Sequence, residues 1–177
     1  MVGNEIEKLA KGKIKDIPDY PKKGVLFRDI TPLLKDGPAF GACVEYLAGS
    51  FKGTEIDYVV GVEARGFIIG AALAYAMGVG FVPIRKKGKL PRKKVSIDYD
   101  LEYGKETIEM HVDAVERGSK VLIADDLLAT GGTARAAADL LKGLGANVVG
   151  FAFMVELGGL KGADRLGGGR VACLARY

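Results

Sequence analysis

Two adjacent acids followed by a glycine-rich loop carry the clearest chemistry in this chain. Residues 121–133 read VLIADDLLATGGT. Val121, Leu122, Ile123 and Ala124 form a short apolar run with β-branched members, as expected of a strand buried on both faces, and Asp125 and Asp126 are expected to end it. Ala129, Thr130, Gly131, Gly132 and Thr133 are loop chemistry. Beyond them Ala137, Leu140, Leu141 and Leu144 fall on one face of a helix, which Gly143 and Gly145 close. The first N–H groups of such a helix have no partner within it. They converge with the positive end of the helix dipole, which adds roughly 0.3–2 kcal/mol for a bound anion. Gly131 and Gly132 allow close approach, and the hydroxyls of Thr130 and Thr133 add donors. The two carboxylates can accept from a sugar diol. Phosphate donors beside diol acceptors describe a site for a ribose 5-phosphate. Successive strand side chains point to opposite faces, which argues against a catalytic aspartyl dyad. No GxGxxG follows a strand and no GxxxxGK[ST] occurs, so the two commonest nucleotide loops are absent.

Other reactive side chains lie elsewhere. Residues 85–94 read RKKGKLPRKK. This basic run can be a solvated charge cluster, or it can close over an anion such as a diphosphate, whose departure needs neutralisation. Lys86 and Lys89, with Arg85 as a third option, are the candidates. Arg65, in the turn EARG, can fork onto a phosphate or make a surface ion pair. Glu102 sits near the turn of a hairpin downstream of the basic run; carried into a cleft, its carboxyl would gain proton affinity and could exchange a proton with a heterocycle. His111 alternates outward on a strand and receives no catalytic role.

These residues need a frame. Ile56–Val62, Val79–Ile84, Val121–Ala124, Asn147–Val155 and Val171–Ala175 read as strands, and Phe67–Met77 and the segment after Thr133 as helices. The alternation implies a doubly wound, mostly parallel sheet with ligands beyond the carboxyl ends of its strands, so EARG and DDLLATGGT should face one cleft. Val95, Ile97, Tyr99 and Leu101, then Ile108, Met110 and Val112, alternate as an antiparallel hairpin. Glu5–Lys11 and the stretch from Pro38 to Phe51 are helical. Between them, IKDIPDYPKKGVLFRDITPLL is broken by Pro18, Pro21 and Pro32 yet too apolar for a linker, and is expected to pack as a flap.

With 177 residues, 49% hydrophobic and 27% charged, the chain is expected to form one globular domain. A net charge of +4 suits an anionic partner, and the basic residues lack the interleaved aromatics of a nucleic-acid tract. Cys43, Cys173 and His111 offer no His/Cys metal spacing, and no apolar leader is evident at the N-terminus. Residues 66–84 carry no charge, but Gly78-Val79-Gly80 and Pro83 divide them, so helix, turn and strand fit better than a membrane span. A soluble cytoplasmic protein is expected, with no nucleic-acid or membrane partner.

Five segments, GVLFRDITPLL, VEARGF, RKKGKLP with LEYG, VLIADDLLATGGT and VELGGLKG, resemble one family in the same order over nearly the whole chain. The phosphate loop is similar to that of the type I phosphoribosyltransferases, and FRDIT, LEYGK and ELxxLKG resemble their adenine branch. The resemblance implies an α/β fold: a mostly parallel twisted sheet flanked by helices, with an N-terminal hood at about residues 14–35 and a β-hairpin lid at about 85–112. It implies transfer of phosphoribosyl from phosphoribosyl pyrophosphate to adenine, giving AMP and pyrophosphate, with Mg²⁺ held through the substrate and water near Asp125 and Asp126 rather than by direct ligands. It assigns Asp125 and Asp126 to the ribose hydroxyls, Ala129–Thr133 to the 5′-phosphate, and Arg65 with loop residues such as Lys89 to pyrophosphate. Phe27 would stack on adenine, the backbone near Leu26 and Arg28 would read its edge, and Leu127 and Leu157 would supply apolar walls. Glu102 would be the acid/base and Tyr103 would help close the site. A cis peptide at Glu63–Ala64 and a homodimer are also implied. Ala64 stands where the pattern suggests Ser, and Arg92-Lys93-Lys94 make the lid more basic than expected.

Three alternatives remain: the same transfer to hypoxanthine, guanine, xanthine or orotate; a non-catalytic ligand-sensing regulator on this fold; and a basic nucleic-acid binder, whose affinity would fall steeply with salt. Glu102→Gln should slow turnover more than it weakens binding, and pH–rate profiles of variant and parent that coincide would refute the acid/base role.

Overall fold

The computed structural model describes residues 3–101 and 104–177. Helix α1 (Gly3–Lys13) buries Ile6 and Ala10. The proline-rich stretch follows as β1 (Lys15–Pro18) and β2 (Leu26–Asp29), an antiparallel pair with Ile17 opposite Phe27. Proline supplies no ladder donor, which keeps these strands to 4 residues each. Then come α2 (Thr31–Lys35) and α3 (Gly37–Gly49). Asp36 caps α3 by accepting from the Ala39 N–H at 3.1 Å, with Pro38 in the first turn.

The central sheet is built from β3 (Tyr58–Val62), β4 (Gly80–Lys86), β5 (Lys94–Leu101), β6 (Gly104–His111), β7 (Lys120–Leu128), β8 (Asn147–Glu156) and β9 (Arg170–Arg176), in the order β5-β6-β4-β3-β7-β8-β9. Helix α4 (Arg65–Met77) joins β3 to β4, and α5 (Gly132–Gly143) joins β7 to β8. Strands β4, β3, β7, β8 and β9 are parallel, while β6 pairs antiparallel with both β4 and β5. On one face Leu33, Cys43, Leu47, Ile69 and Leu73 pack on Leu122, Ala124 and Met154. On the other Ala137 and Leu141 pack on Val60, Ile123 and Phe153. Each fully buried aliphatic side chain contributes about 1.5–3 kcal/mol, so both layers are needed.

The alternation read from the sequence matches this sheet, with several ends displaced (β3 begins at Tyr58 rather than Ile56, and β4 runs on to Lys86), and two of the displacements bear on the site. Helix α4 begins at Arg65, not Phe67. Strand β7 does not end at the acidic pair but runs through it to Leu128, because β8 keeps pairing with it as far as Leu128 opposite Glu156. The pairing of β7 with β3 stops earlier, at Ala124 opposite Gly61. The sheet therefore forks after Ala124. Among the described residues no helix is long and apolar enough to cross a membrane; the uncharged stretch divides into α4 and β4.

After β8 the chain makes two short 3-10 turns, Gly158–Leu160 and Gly162–Leu166. The second backs onto the glycine loop. Gly131 has φ 79°, and a Cβ there would strike the carbonyl of Gly162; a Cβ on Gly162 would strike the carbonyl of Ala129. Two main chains are in direct contact, with room for no side chain between them. Gly162→Ala should therefore cost about 1–3 kcal/mol. Gly41→Ala, in the exposed middle of α3 with open space around its Cα, should instead gain about 0.5–1 kcal/mol; thermal melts of the two variants should move in opposite directions.

Candidate active site

The fork opens into a cavity of about 820 Å³, walled by β2, the turn after β3, the ends of β4 and β7, the glycine loop and the chain after β8. It brings together Phe27, Arg28, Arg65, Lys86, Asp125, Asp126, Leu127, Ala129, Thr130, Gly131, Gly132, Thr133 and Leu157, all singled out from the sequence. Arg85 and Lys89 are not in its wall. Glu102 and Tyr103 lie outside the described residues.

The loop has the geometry of an anion cradle. Helix α5 starts directly after Gly131, in the left-handed region, with no side-chain cap on its first turn. Its opening N–H groups are thus left for a ligand. Ala134, Ala136 and Ala137 bury the first turns of α5 against the sheet and fix its aim.

The acids form the floor. Asp126 is 7% exposed and accepts from Arg65 Nε at 2.5 Å. Asp125 accepts from the Asp126 N–H at 2.9 Å and keeps a patch open to the cavity. Burial, then the Asp126 charge, push the Asp125 carboxyl well above the usual carboxylate range. Simple strand alternation separates the two acids, yet here the charge of one acts on the other. Gly66, at the start of α4, lies so close that a Cβ there would be 2.7 Å from Asp125 Oδ1. Among the described residues no three His, Cys or carboxylate side chains converge as a closed metal cage requires. The acid oxygens that line the cavity are acceptors, of a kind that could take hydrogen bonds from the water shell of a hydrated Mg²⁺ held by a phosphate rather than by the protein.

The flap forms the roof. Phe27 meets Tyr20 edge to face at 5.2 Å, and the Arg65 guanidinium lies 5.2 Å from the Phe27 ring. Arg28 pairs with Asp16 and stacks 3.8 Å above the Tyr177 ring, tying β2 to the end of β9. Leu127 and Leu157 add apolar wall.

The basic run is organised by a residue that sequence reasoning passed over. Glu63 receives Arg85 through both oxygens at 3.2 Å, Lys89 Nζ at 2.8 Å and the Lys86 N–H at 3.0 Å. The Arg85 hydrogen bond, ahead of those from Lys89 and the Lys86 amide, holds the Glu63 carboxyl at about 2. The peptide after Glu63 is cis, as the resemblance implied. Tyr99 and Glu106 also line the cavity and were not singled out; alternation placed Tyr99 on one face of its strand, but strand register was needed to show its neighbours.

The Asp125 shift has a consequence for stability. The folded chain holds a proton that the unfolded chain releases near 3.8. Its folded value is raised, so stability falls as pH rises from there through the folded value. Asp125→Asn keeps the acceptor for the Asp126 N–H and abolishes that loss. It should melt higher than the parent at neutral and alkaline pH, by about 2–4 °C for each kcal/mol recovered, and the gap should close towards pH 4.

Comparison with known proteins agrees with this geometry. The family model for the phosphoribosyl transferase domain matches residues 33–166. An adenine phosphoribosyltransferase of Methylococcus capsulatus is 55% identical over 167 residues, 94% of this chain and 98% of that one. One from Thermobifida fusca is 51% identical over 174 residues, 98% of this chain and 99% of that one. The crystal structure of adenine phosphoribosyltransferase from Thermoanaerobacter pseudethanolicus superposes with a TM-score of 0.94 at 49% identity, covering 97% of this chain and 99% of that one. The Saccharomyces cerevisiae protein, solved with adenine and an imino-altritol bisphosphate, gives 0.90 at 39%, covering 97% and 99%. A family model matched over most of the chain, relatives more than half identical over nearly its whole length and a closely superposing crystal structure leave one assignment: the chain belongs to the adenine phosphoribosyltransferase family, with the type I phosphoribosyltransferase fold.

Proposed function

We propose that the cavity transfers the 5-phosphoribosyl group of phosphoribosyl pyrophosphate to adenine, releasing pyrophosphate and forming AMP, a purine-salvage reaction. The observation that carries this reading is the uncapped start of α5 lining one cavity with the two adjacent acids and with Phe27. Ala129–Thr133 hold the 5′-phosphate through main-chain N–H groups and the two threonine hydroxyls. Asp125 and Asp126 accept from the ribose hydroxyls.

Arg65 reaches the pyrophosphate from the first turn of α4, and Asp126 fixes its guanidinium. Lys86, from the cavity wall, adds a second cation, with Arg85 and Lys89 in reserve behind Glu63. Mg²⁺, held through phosphoribosyl pyrophosphate and water near Asp125 and Asp126, would neutralise part of the diphosphate charge when bound. Phe27 stacks on the adenine ring, Leu127 and Leu157 exclude water from its far side, and the main chain at Leu26 and Arg28 reads its edge. A 6-amino group donates, so main-chain carbonyls there favour adenine over 6-oxo purines. Glu102 holds or releases a proton at the purine, and Tyr103 closes over it. The hood (about 14–35) and the hairpin (about 85–112) are the parts that cover the ligands.

The reading extends to a cytoplasmic homodimer. Ile68 and Tyr75, exposed on α4, are apolar surface that a second copy would cover.

The protein with Mg²⁺ and phosphoribosyl pyrophosphate should release pyrophosphate when given adenine, and not when given hypoxanthine, guanine, xanthine or orotate. Release with another base and none with adenine would overturn the assignment. Asp126→Asn should weaken sugar-phosphate binding by about tenfold or more, since it unfixes Arg65 and removes a charged acceptor.

A further inference from the structure

Arg85 and Lys89 close on Glu63, but Lys86 takes a different partner. Its ammonium lies 3.1 Å from Oε1 of Glu106. The other oxygen of Glu106 accepts from the Tyr99 hydroxyl at 3.0 Å. The Thr133 hydroxyl lies 3.4 Å from that of Tyr99, oriented to donate to it. A continuous chain of side chains thus runs from the first turn of α5, across the hairpin, to the end of β4, and all four members line the cavity.

Strand register builds this chain. Tyr99 and Glu106 are directly opposed on β5 and β6, which puts their side chains on one face and within reach. Lys86 opposes Ile108, so Glu106 is its diagonal neighbour. Protons are accounted for along the chain. Burial, ahead of the nearby Glu106, pushes the Tyr99 phenol up to about 12, so it stays protonated and can donate. It donates a hydrogen bond to Glu106 and accepts one from Thr133. Glu106 spends one oxygen on Tyr99 and the other on Lys86. A lysine left in water samples many rotamers; this one is tied at its tip.

Resting on the function proposed above, we propose that Tyr99 and Glu106 are positioning residues that hold the Lys86 ammonium at a set distance from the phosphate loop. The sugar donor carries a phosphate at one end and a diphosphate at the other, separated by a ring of fixed size. Thr133 meets the first end and Lys86 the second. The relay fixes the spacing between them before the ligand arrives, so binding does not have to order a free lysine.

The test uses Tyr99→Phe, Glu106→Gln and Lys86→Ala, singly and combined, in steady-state assays with phosphoribosyl pyrophosphate and adenine. Tyr99→Phe and Glu106→Gln should each raise KM for phosphoribosyl pyrophosphate by about five- to tenfold and leave KM for adenine within about twofold. On the Lys86→Ala background neither should add more than about twofold, because both act through that ammonium. A merely structural role would persist undiminished there, and fully additive effects, or an unchanged KM in both single variants, would overturn the proposal. Should Tyr99→Phe fail to fold in a thermal melt, Glu106→Gln decides alone. Calorimetric titration with magnesium pyrophosphate reads the same contact without turnover. A parent that binds pyrophosphate but transfers nothing refutes the proposed reaction, and the variants' loss or retention of that binding then decides this inference; a parent that does not bind pyrophosphate refutes both.

Discussion

Beyond Ala124, strand β7 has a hydrogen-bonding neighbour on one side only. Strand β8 continues beside it to Leu128, whereas β3 has already turned away at Gly61. Everything else about the site follows from that departure. A parallel sheet is normally covered on both faces and paired on both edges of every inner strand. Where one pairing is withdrawn, the sheet splits, and the gap must be walled by whatever the diverging connections supply. Here they supply the turn at Glu63–Ala64, the first turn of α4 and the glycine loop before α5, each at the carboxyl end of a strand. The fork lies where β3 leads through α4 to one side and β7 leads through α5 to the other, the place where such sheets accept ligands.

The fork also explains why charges are tolerated in the core. Asp126 is buried because β7 and β8 keep it there, and it is stable because the Arg65 guanidinium meets it. Asp125 makes no ion pair among the described residues, and burial, ahead of the Asp126 charge, raises its proton affinity. The acid whose burial most burdens the fold also lines the cavity, and perturbed groups of this kind cluster at functional sites. The apolar layers on both faces, with Leu122 and Ile123 fully buried immediately before the acids, supply the stability against which that burden is set.

Much of this was legible beforehand because it is written in short-range pattern. Apolar runs alternating with amphipathic helices gave the sheet, and the glycines with their hydroxyl neighbours gave the loop. What was not legible depends on pairings that local pattern does not encode. An acidic pair reads as the end of a strand, yet β7 continues through it, because charged side chains are acceptable where a neighbouring strand has left. Glu63 is one acid in a turn, and nothing nearby in sequence says that it will meet Arg85 and Lys89 more than 20 residues away. Tyr99 reads as one more apolar alternation in a hairpin; its opposition to Glu106 is a matter of register. The contact between Gly131 and Gly162 joins two loops separated by an entire helix and strand. VELGGLKG was noticed as part of a resemblance, but its physical reason, a backbone pressed against the phosphate loop, emerged only in three dimensions.

A net charge of +4 and the cationic run after β4 describe a surface to which any polyanion might be expected to adhere. Glu63 restrains that stickiness. By matching Arg85 and Lys89 internally, it leaves them available only to a competitor that outbids a well-placed carboxylate. A singly charged phosphodiester in a passing nucleic acid is a poor rival; a compact diphosphate is a strong one. Restraint of the basic run thus has its origin in a single counter-ion built into the chain.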